Sequence, residues 1–277
     1  MPLLLHGDCL ELMRDLSDHS VDCFICDLPY GCLSGREKET KERYNGATPT
    51  GTFLETHFSG CPWDVKINLE AFWIQVKRLA RDDHTPVLMF CNTKFGFDLY
   101  NSNPSWFRYD LVWDKVRGVS FLLANKQPMK SHEMIYVFSK KGAFYNRVDE
   151  DAPGKKKRTD NIQTPRSANV YHTSLHRSTG ADEGKKCVVS VISLKKVGTF
   201  KDDHPTEKPK ELYRWLLTRY CPPGGTVLDP TAGSFNSILV AQELGLEGIG
   251  IEKDDTFFKK GQAKFSDPSG NIIEHVE

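Results

Sequence analysis

The sequence predicts an α/β protein built on a largely parallel, doubly wound sheet. Apolar runs at 3–6 and 21–26 flank a helical pattern at 9–16, in which apolar residues recur at spacings of three and four. Strand and helix patterns alternate again between 226 and 265. Because short linkers separate these alternating elements, they are typical of βαβ units that pack into a parallel sheet.

The other elements follow from the same patterns. The stretch 32–65 has little periodicity and much Gly, Thr, Lys and Glu, so we expect a long polar loop there. The region 140–200 is rich in Lys, Ser, Thr and Asn, which favours an irregular inserted module over more of the same sheet. The remaining predicted elements are helix 69–79, strand 86–91, helix 95–101, strands 108–113 and 133–138, a helix ending at 220, strand 226–228, helix 235–244, strand 248–251 and helix 255–265.

The composition excludes several classes of protein. With 277 residues, 39% hydrophobic and 27% charged, the chain has ordinary globular composition, and no run approaches the roughly 20 apolar residues that span a bilayer. The apolar segment Leu3-Leu4-Leu5 has no basic segment before it, so we expect no signal peptide. These features predict a soluble, cytoplasmic protein without membrane contact.

Eight cysteines are expected to be reduced thiols, because the chain shows no export signal. Cys23 and Cys26 have the spacing of a CxxC pair, but they fall in a predicted strand, where residues three apart face opposite sides of the sheet. We therefore expect no metal or redox site at this pair, and no catalytic metal.

The formal net charge of zero conceals a strong asymmetry. Between Lys115 and Lys201 the chain has 18 Lys and Arg against 7 Asp and Glu. Segregation over such a length indicates a surface that faces DNA. The run Lys155-Lys156-Lys157-Arg158 is a candidate phosphate-binding segment, with a solvated loop or a localisation signal as the alternatives.

A candidate cofactor site follows the strand that begins at 226. Asp229 ends an apolar run, a turn of small residues with Gly233 leads into a helix, and Glu252 ends the next strand 23 residues later. Ligands of doubly wound sheets bind at such strand ends, and a carboxylate at the position of Glu252 can accept both hydroxyls of a ribose. An acid here suits a cationic ligand rather than a pyrophosphate. The alternative is an ordinary βα turn with an acidic cap.

A second candidate site follows the strand at 21–26. Asp27 and the carbonyl of Leu28 can accept two hydrogen bonds, Pro29 makes the turn rigid, and Tyr30 offers a ring for stacking. This set suits chemistry on an exocyclic base amine, which needs both N–H groups bound and the flipped base held flat. A strand followed by a simple turn is the alternative.

Together these motifs resemble the amino-methylating N6-adenine/N4-cytosine DNA methyltransferases, over nearly the whole chain. The family's DPPY motif corresponds to Asp27-Leu28-Pro29-Tyr30, and its DPFxGSG motif to the segment from Asp229 to Phe235. Its HPTxKP block corresponds to the segment from His204 to Pro209, and Gly7-Asp8 before the catalytic strand is also typical. The catalytic motif precedes the cofactor motif, as in the β group of the family.

The resemblance implies a circularly permuted, seven-stranded, Rossmann-like fold that binds S-adenosylmethionine and double-stranded DNA. It implies a catalytic half at 1–139, a target-recognition insertion at 140–200 and a cofactor-binding half at 201–277. Leu28 and Phe235 depart from the usual Pro and Gly, and a backbone carbonyl would tolerate the first change. The implied cofactor-binding residues are Asp8, Thr206, Lys208, Asp229, Gly233, Ser234 and Glu252.

The resemblance favours methylation of N6 of adenine in a flipped nucleotide, because Asp rather than Ser begins the catalytic motif. Methylation of N4 of cytosine is the nearest alternative. Methylation of RNA or of a protein amide uses related motifs, but the cofactor motif then normally comes first. A catalytically degenerate DNA-binding subunit is the non-enzymatic alternative. A homodimer and a companion restriction endonuclease are partners that the resemblance leaves open.

Overall fold

The structure is a computed structural model that describes residues 1–31, 65–119, 121, 124–154, 184–195 and 207–265. The chain forms two compact units. One comprises 1–146 and 191–277, and the other comprises 147–190. No helix among the described residues is both long and apolar enough to cross a membrane.

Ten strands are present in the described ranges. In chain order they are β1 Leu3–His6, β2 Cys23–Cys26, β3 Val87–Cys91, β4 Phe107–Val119, β5 Lys130–Phe138, β6 Glu150–Asp151, β7 Lys185–Lys186, β8 Val191–Ser193, β9 Thr226–Asp229 and β10 Glu247–Glu252.

Eight of these strands form one sheet in the larger unit, in the order β1-β10-β9-β2-β3-β5-β4-β8. Only β5 runs antiparallel to its two neighbours, and the other five strand pairs are parallel. The predicted α/β class with a mostly parallel sheet is confirmed. The predicted number of seven strands is wrong, because Val191–Ser193 pairs with β4 although it lies in the region expected to be irregular.

Helices connect the strands. They are α1 Cys9–Leu12, α2 Leu69–Leu79, α3 Thr93–Ser102, α4 Lys210–Tyr220, α5 Asn236–Glu243 and α6 Asp255–Ala263. The long helix predicted at 9–16 is wrong in part, because it changes to a 3₁₀ turn at Met13–Asp15. The hairpin strands β4 and β5 extend beyond the predicted strands, to Val119 and back to Lys130.

The core lies on both faces of the sheet, and the side chains of β2 alternate between the two faces. Phe24 and Cys26 belong to the cluster that includes α2 and α3, whereas Cys23 and Ile25 pack with α4 and β5. The prediction that Cys23 and Cys26 face opposite sides is therefore confirmed. Burial raises the pKa of both thiols well above the ordinary value, so both stay protonated.

The smaller unit contains the antiparallel pair β6 and β7. Lys185 Nζ lies 2.6 Å from Asp151 Oδ1 and Lys186 Nζ lies 3.3 Å from Glu150 Oε2, so each cross-strand pair joins opposite charges. The basic run 155–158 lies outside the described residues.

Candidate active site

A cavity of about 610 Å³ opens at the carboxyl end of the parallel strands. The ends of β1, β10, β9 and β2 lie side by side there, because these strands are parallel neighbours. Each strand delivers a polar segment to this edge. These segments are Gly7-Asp8 after β1, Asp27 after β2, 230–234 after β9 and Glu252 at the end of β10.

Glu252 is held by two backbone amides. Gly233 N donates to Oε2 at 2.8 Å and Asp254 N donates to Oε1 at 2.8 Å. Gly233 has φ +51°, and its amide points at the carboxylate from the turn after β9. Burial raises the pKa of Glu252 against these hydrogen bonds. The carboxylate is thus fixed in orientation at the wall of the cavity. Among the described residues, no cationic side chain donates a hydrogen bond to it.

Asp8 caps the first helix at the neighbouring strand end. Its Oδ1 accepts from Leu10 N at 2.9 Å, and Lys253 Nζ donates to its Oδ2 at 3.0 Å. Burial opposes the charge on Asp8, but the hydrogen bond from Lys253 and the backbone amides prevail and lower its pKa. Gly7, just before it, has φ +148° and lets the chain turn from β1 into α1. Both residues line the cavity.

Asp229 faces inward. It is 3% exposed and is not among the residues that line the cavity. Its Oδ2 accepts from Ser237 Oγ at 2.5 Å, and its Oδ1 accepts from Thr231 N at 3.1 Å. Burial raises the pKa of this carboxyl to about 7, despite these two hydrogen bonds. A direct contact between Asp229 and the cofactor stays a prediction. The observed hydrogen bonds show that Asp229 stabilises the turn after β9.

Phe235 places an aromatic ring at a position where the family usually has Gly. Its backbone is left-handed, with φ +58°, and the residue is fully buried. A Cβ added to Gly250 or Gly261 would lie 2.7 Å or 2.1 Å from atoms of this ring. The two glycines therefore make the space that the ring occupies, and the turn keeps the backbone conformation that a glycine would adopt.

On the other side of the cavity, Asp27 receives two side-chain donors. Tyr30 Oη donates to Oδ1 at 2.8 Å, and the Lys208 ammonium donates to Oδ2. The Tyr30 ring stacks on Phe95, with centroids 5.1 Å apart and planes at 28°. Burial, with the charge of Asp27, raises the pKa of Tyr30 well above its ordinary value, so the hydroxyl is a neutral donor. The predicted acceptor and the predicted ring are therefore in contact.

Two charged residues that the motifs did not predict complete this side. Glu133 Oε1 accepts from Lys115 Nζ at 2.5 Å, and Glu133 Oε2 lies 3.8 Å from Lys208 Nζ. Burial opposes the charge on Lys208, but Asp27 and Glu133 outweigh it and raise the pKa of the ammonium. Burial likewise opposes the charge on Glu133, and the two lysines lower its pKa. Both Glu133 and Lys208 are therefore charged at neutral pH.

Leu28 and Pro29 follow Asp27 and line the cavity. Leu28 is 1% exposed and its side chain belongs to the core cluster on the α2 face. Replacing the usual proline therefore puts an aliphatic group into the core, and the backbone carbonyl is the part of Leu28 that suits a substrate.

The structure brings most of the predicted site residues together at one edge. Lys208 was predicted to bind the cofactor, but its ammonium contacts Asp27. Glu133 belongs to no motif of the sequence, and the start of a predicted strand is an ordinary place for a structural Glu. Thr206 and Lys155, Lys156, Lys157 and Arg158 lie outside the described residues. The predicted residues that line the cavity are Asp8, Asp27, Leu28, Pro29, Tyr30, Lys208, Gly233, Ser234 and Glu252.

A family model described as DNA methylase, for N6 and N4 methyltransferases, matches residues 21–264. The chain belongs to this N6/N4 DNA methylase family. The methylase is similar to the type II methyltransferase M.HinfI of Haemophilus influenzae, with 24% identity over 98% of this chain and 70% of that protein. It is also similar to M.HpaI of Haemophilus parainfluenzae, with 21% identity over 94% of this chain and 73% of that protein.

Solved structures share the fold of the methylase. The M1.HpyAVI complex with S-adenosylmethionine superposes with a TM-score of 0.57 at 18% identity, over 95% of this chain and 98% of that chain. The cytosine-N4-specific PvuII DNA methyltransferase superposes with a TM-score of 0.61 at 13% identity, over 96% of this chain and 86% of that chain. The Rossmann-like methyltransferase fold is therefore shown.

The methylase uses S-adenosylmethionine as its cofactor, and the cavity suits that molecule. The Glu252 carboxylate at the wall can accept hydroxyl hydrogen bonds. Thr231 also lines the cavity, and its Oγ1 is buried without a hydrogen-bond partner among the described residues. A buried hydroxyl without a partner is costly unless a ligand or a water satisfies it, so this atom suits a polar group of a bound molecule.

Proposed function

We propose that this DNA methylase transfers a methyl group to N6 of adenine, at a specific sequence in double-stranded DNA, with the target nucleotide flipped into the cavity. The observation that carries the proposal is the Asp27 carboxylate at the cavity, within 2.8 Å of the Tyr30 hydroxyl. A carboxylate acceptor binds an amine N–H more strongly than a serine hydroxyl would. The resemblance to the family favours adenine over N4 of cytosine as the target, because Asp27 rather than Ser begins the catalytic motif.

The residues after β2 supply the groups that an amine needs. Asp27 and the carbonyl of Leu28 accept hydrogen bonds from the two N–H groups of the amine. These bonds favour a pyramidal nitrogen, whose lone pair is less delocalised into the ring. Tyr30, steadied by Phe95, offers a ring against the flipped base. The new nitrogen–carbon bond forms from that lone pair, and the nitrogen releases one proton along its hydrogen bond to Asp27 and then to solvent.

When bound, S-adenosylmethionine supplies a methyl carbon made electrophilic by the sulfonium, whose carbon–sulfur electrons stay on sulfur as the methyl leaves. Holding two reactants in line at one site supplies much of the rate. No covalent bond to the chain is needed.

The cofactor half uses a different set of groups. Glu252 binds the ribose hydroxyls and Asp8 lies near the adenine edge of the cofactor. The turn after β9 holds the methionine portion of the cofactor. Asp229 stabilises this turn through its hydrogen bonds with Thr231 and Ser237. Thr206, Gly233, Ser234 and Lys208 complete the set.

The three predicted regions keep their roles in this proposal. Residues 1–139 carry the catalytic half and 201–277 the cofactor half. Residues 140–200 recognise the DNA target, and the compact unit at 147–190 supports a separate role for most of that region. Lys155, Lys156, Lys157 and Arg158 bind phosphates.

The test is incubation with labelled S-adenosylmethionine and diverse duplex DNA, followed by nucleoside analysis and mapping of modified sites. N6-methyladenine at one recurrent sequence is the expected product. N4-methylcytosine would overturn the choice of base, and label in RNA alone would overturn the choice of polymer. Cofactor binding without transfer to any nucleic acid would identify a degenerate DNA-binding subunit.

A further inference from the structure

Four charged side chains form a row on the catalytic side of the cavity, in the order Lys115, Glu133, Lys208 and Asp27. Lys115 Nζ lies 2.5 Å from Glu133, whose other oxygen lies 3.8 Å from Lys208 Nζ, and Lys208 donates to Asp27. Lys115 is 5% exposed and Lys208 is 4% exposed. Positive and negative charges alternate, so the row as a whole has no net charge.

The antiparallel strand β5 brings Glu133 to the cavity. The amino end of β5 lies at the same edge as the carboxyl ends of the parallel strands, because β5 runs the opposite way. Glu133 is near that end, and on the adjacent strand β4 its cross-strand partner is Trp113. Lys115 follows two residues later on β4, and its ammonium lies 5.2 Å from the centre of the Trp113 ring. The strand pairing therefore sets the position of both groups.

An aromatic ring packs against the ammonium group of Lys208. Lys208 Nζ lies 4.6 Å from the centre of the Phe90 ring on β3. Buried charges in such surroundings are screened weakly, so removing one partner leaves the others uncompensated. The balance within the row consequently matters to any charge that develops beside Asp27.

We infer that Glu133 is a positioning residue for methyl transfer, which keeps Lys208 from placing an uncompensated positive charge beside the reacting amine. This inference rests on the proposed function, in which Asp27 accepts from that amine. The nitrogen becomes positive as the methyl group arrives, next to a cofactor that is itself a cation. A net positive row would oppose that charge, and Glu133 holds the row neutral.

The first variant is Glu133→Gln, which keeps the size and one acceptor for Lys115 but leaves the row with a net charge of +1. We expect the single-turnover rate at saturating cofactor and DNA to fall about ten- to hundredfold, as when one preorganised charge-stabilising group is removed. The dissociation constant for S-adenosylmethionine should stay within about twofold, because neither Glu133 nor Lys115 is among the proposed cofactor contacts.

The second variant tests charge rather than shape. Glu133→Gln combined with Lys115→Met restores a neutral row, and we expect it to recover at least about tenfold of the lost rate. A purely structural role for Glu133 predicts the opposite, since the double variant also loses the hydrogen bond from Lys115 that the single variant keeps. Glu243→Gln is the matched control, because Glu243 also pairs with basic side chains but lies on α5 away from the cavity.

An unchanged rate in folded Glu133→Gln would overturn the inference, and so would a double variant slower than the single one. If Glu133→Gln does not fold, Lys115→Met alone decides, because charge balance predicts an undiminished rate and a scaffold role predicts a loss. Full activity of Asp27→Ala would instead remove the proposed function. The two failures are therefore distinguishable.

Discussion

On the cofactor side of the cavity, Glu252 accepts hydrogen bonds from two backbone amides, whereas on the catalytic side Asp27 and Glu133 face lysine ammonium groups. Neutral donors orient a carboxylate without cancelling its charge. Ammonium groups do both. The Glu252 carboxylate therefore keeps its negative charge uncancelled on the cofactor side, whereas on the catalytic side the lysines cancel the charge of the carboxylates.

The difference matches what the proposed function requires each side to bind. A sulfonium cofactor carries a positive charge, which suits carboxylates that neutral donors hold. The target base is neutral before the reaction, which suits a row of charges that cancel. Asp8 is intermediate, because it caps α1 through Leu10 N and also pairs with Lys253, which is 76% exposed at its side chain and so is well screened by solvent.

The largest expected effect is on the catalytic side. Asp27→Ala should lower the transfer rate by about a hundredfold or more, because a positioned acceptor for the developing charge is removed. Cofactor affinity should remain largely intact in calorimetry, since Asp27 is assigned to the amine. A rate within about tenfold of the wild-type value would contradict the assignment of Asp27.

The next effect is on the cofactor side. Glu252→Ala should weaken S-adenosylmethionine binding by about ten- to hundredfold, because charge-assisted hydrogen bonds to the ligand are removed. Isothermal calorimetry measures this directly. Glu247→Ala is the control, since Glu247 is exposed at the other end of the same strand. Equal affinities for wild type and both variants would show that the cofactor lies elsewhere.

A smaller effect concerns the insertion, whose basic run is assigned to neither the cofactor nor the target base. Changing Lys155, Lys156, Lys157 and Arg158 to Gln should weaken DNA binding and flatten the salt dependence of log K, by about 0.9 in slope for each phosphate that is no longer neutralised. The methylated sequence should stay the same, because binding to phosphates does not read bases. An unchanged slope would exclude the run from the DNA footprint. A changed sequence would show that the run reads base edges.

The smallest expected effect is on the pH dependence of stability, to which Asp229 contributes through its raised pKa. Its pKa is raised from 3.8 to about 7 in the folded protein, so folding takes up a proton between these values. Its contribution to the free energy of unfolding is therefore present below about pH 4 and is lost as the pH rises through about 7. Asp229→Asn keeps one acceptor oxygen and does not titrate. Its melting temperature should therefore rise relative to that of the wild type between pH 4 and 8, by several degrees. Parallel melting curves across that range would contradict the raised pKa.

Local elements were predictable because their signals are local. Helix 69–79 matches the observed helix at both ends, since its apolar positions recur with helical spacing and Asn68 caps its first turn. The strand at 226–228 was predicted to within one residue. The strand at 191–193 was not predicted, because three residues in a polar region show no periodicity, and only the neighbouring edge of β4 makes them a strand.

The site divides in the same way. The sequence by itself determined that acids follow or end four strands, at Asp8, Asp27, Asp229 and Glu252, and that the motif order is that of an N6/N4 methylase. Only the tertiary structure decided that Asp229 turns inward to Ser237, and that Lys208 lies between Asp27 and Glu133. Motif spacing records where a residue falls on its own strand, whereas the contacts of Lys208 with Asp27 and with Glu133 join segments that are far apart in the chain. Their geometry depends on strand order, on the reversed direction of β5 and on the burial that makes unpaired charge costly.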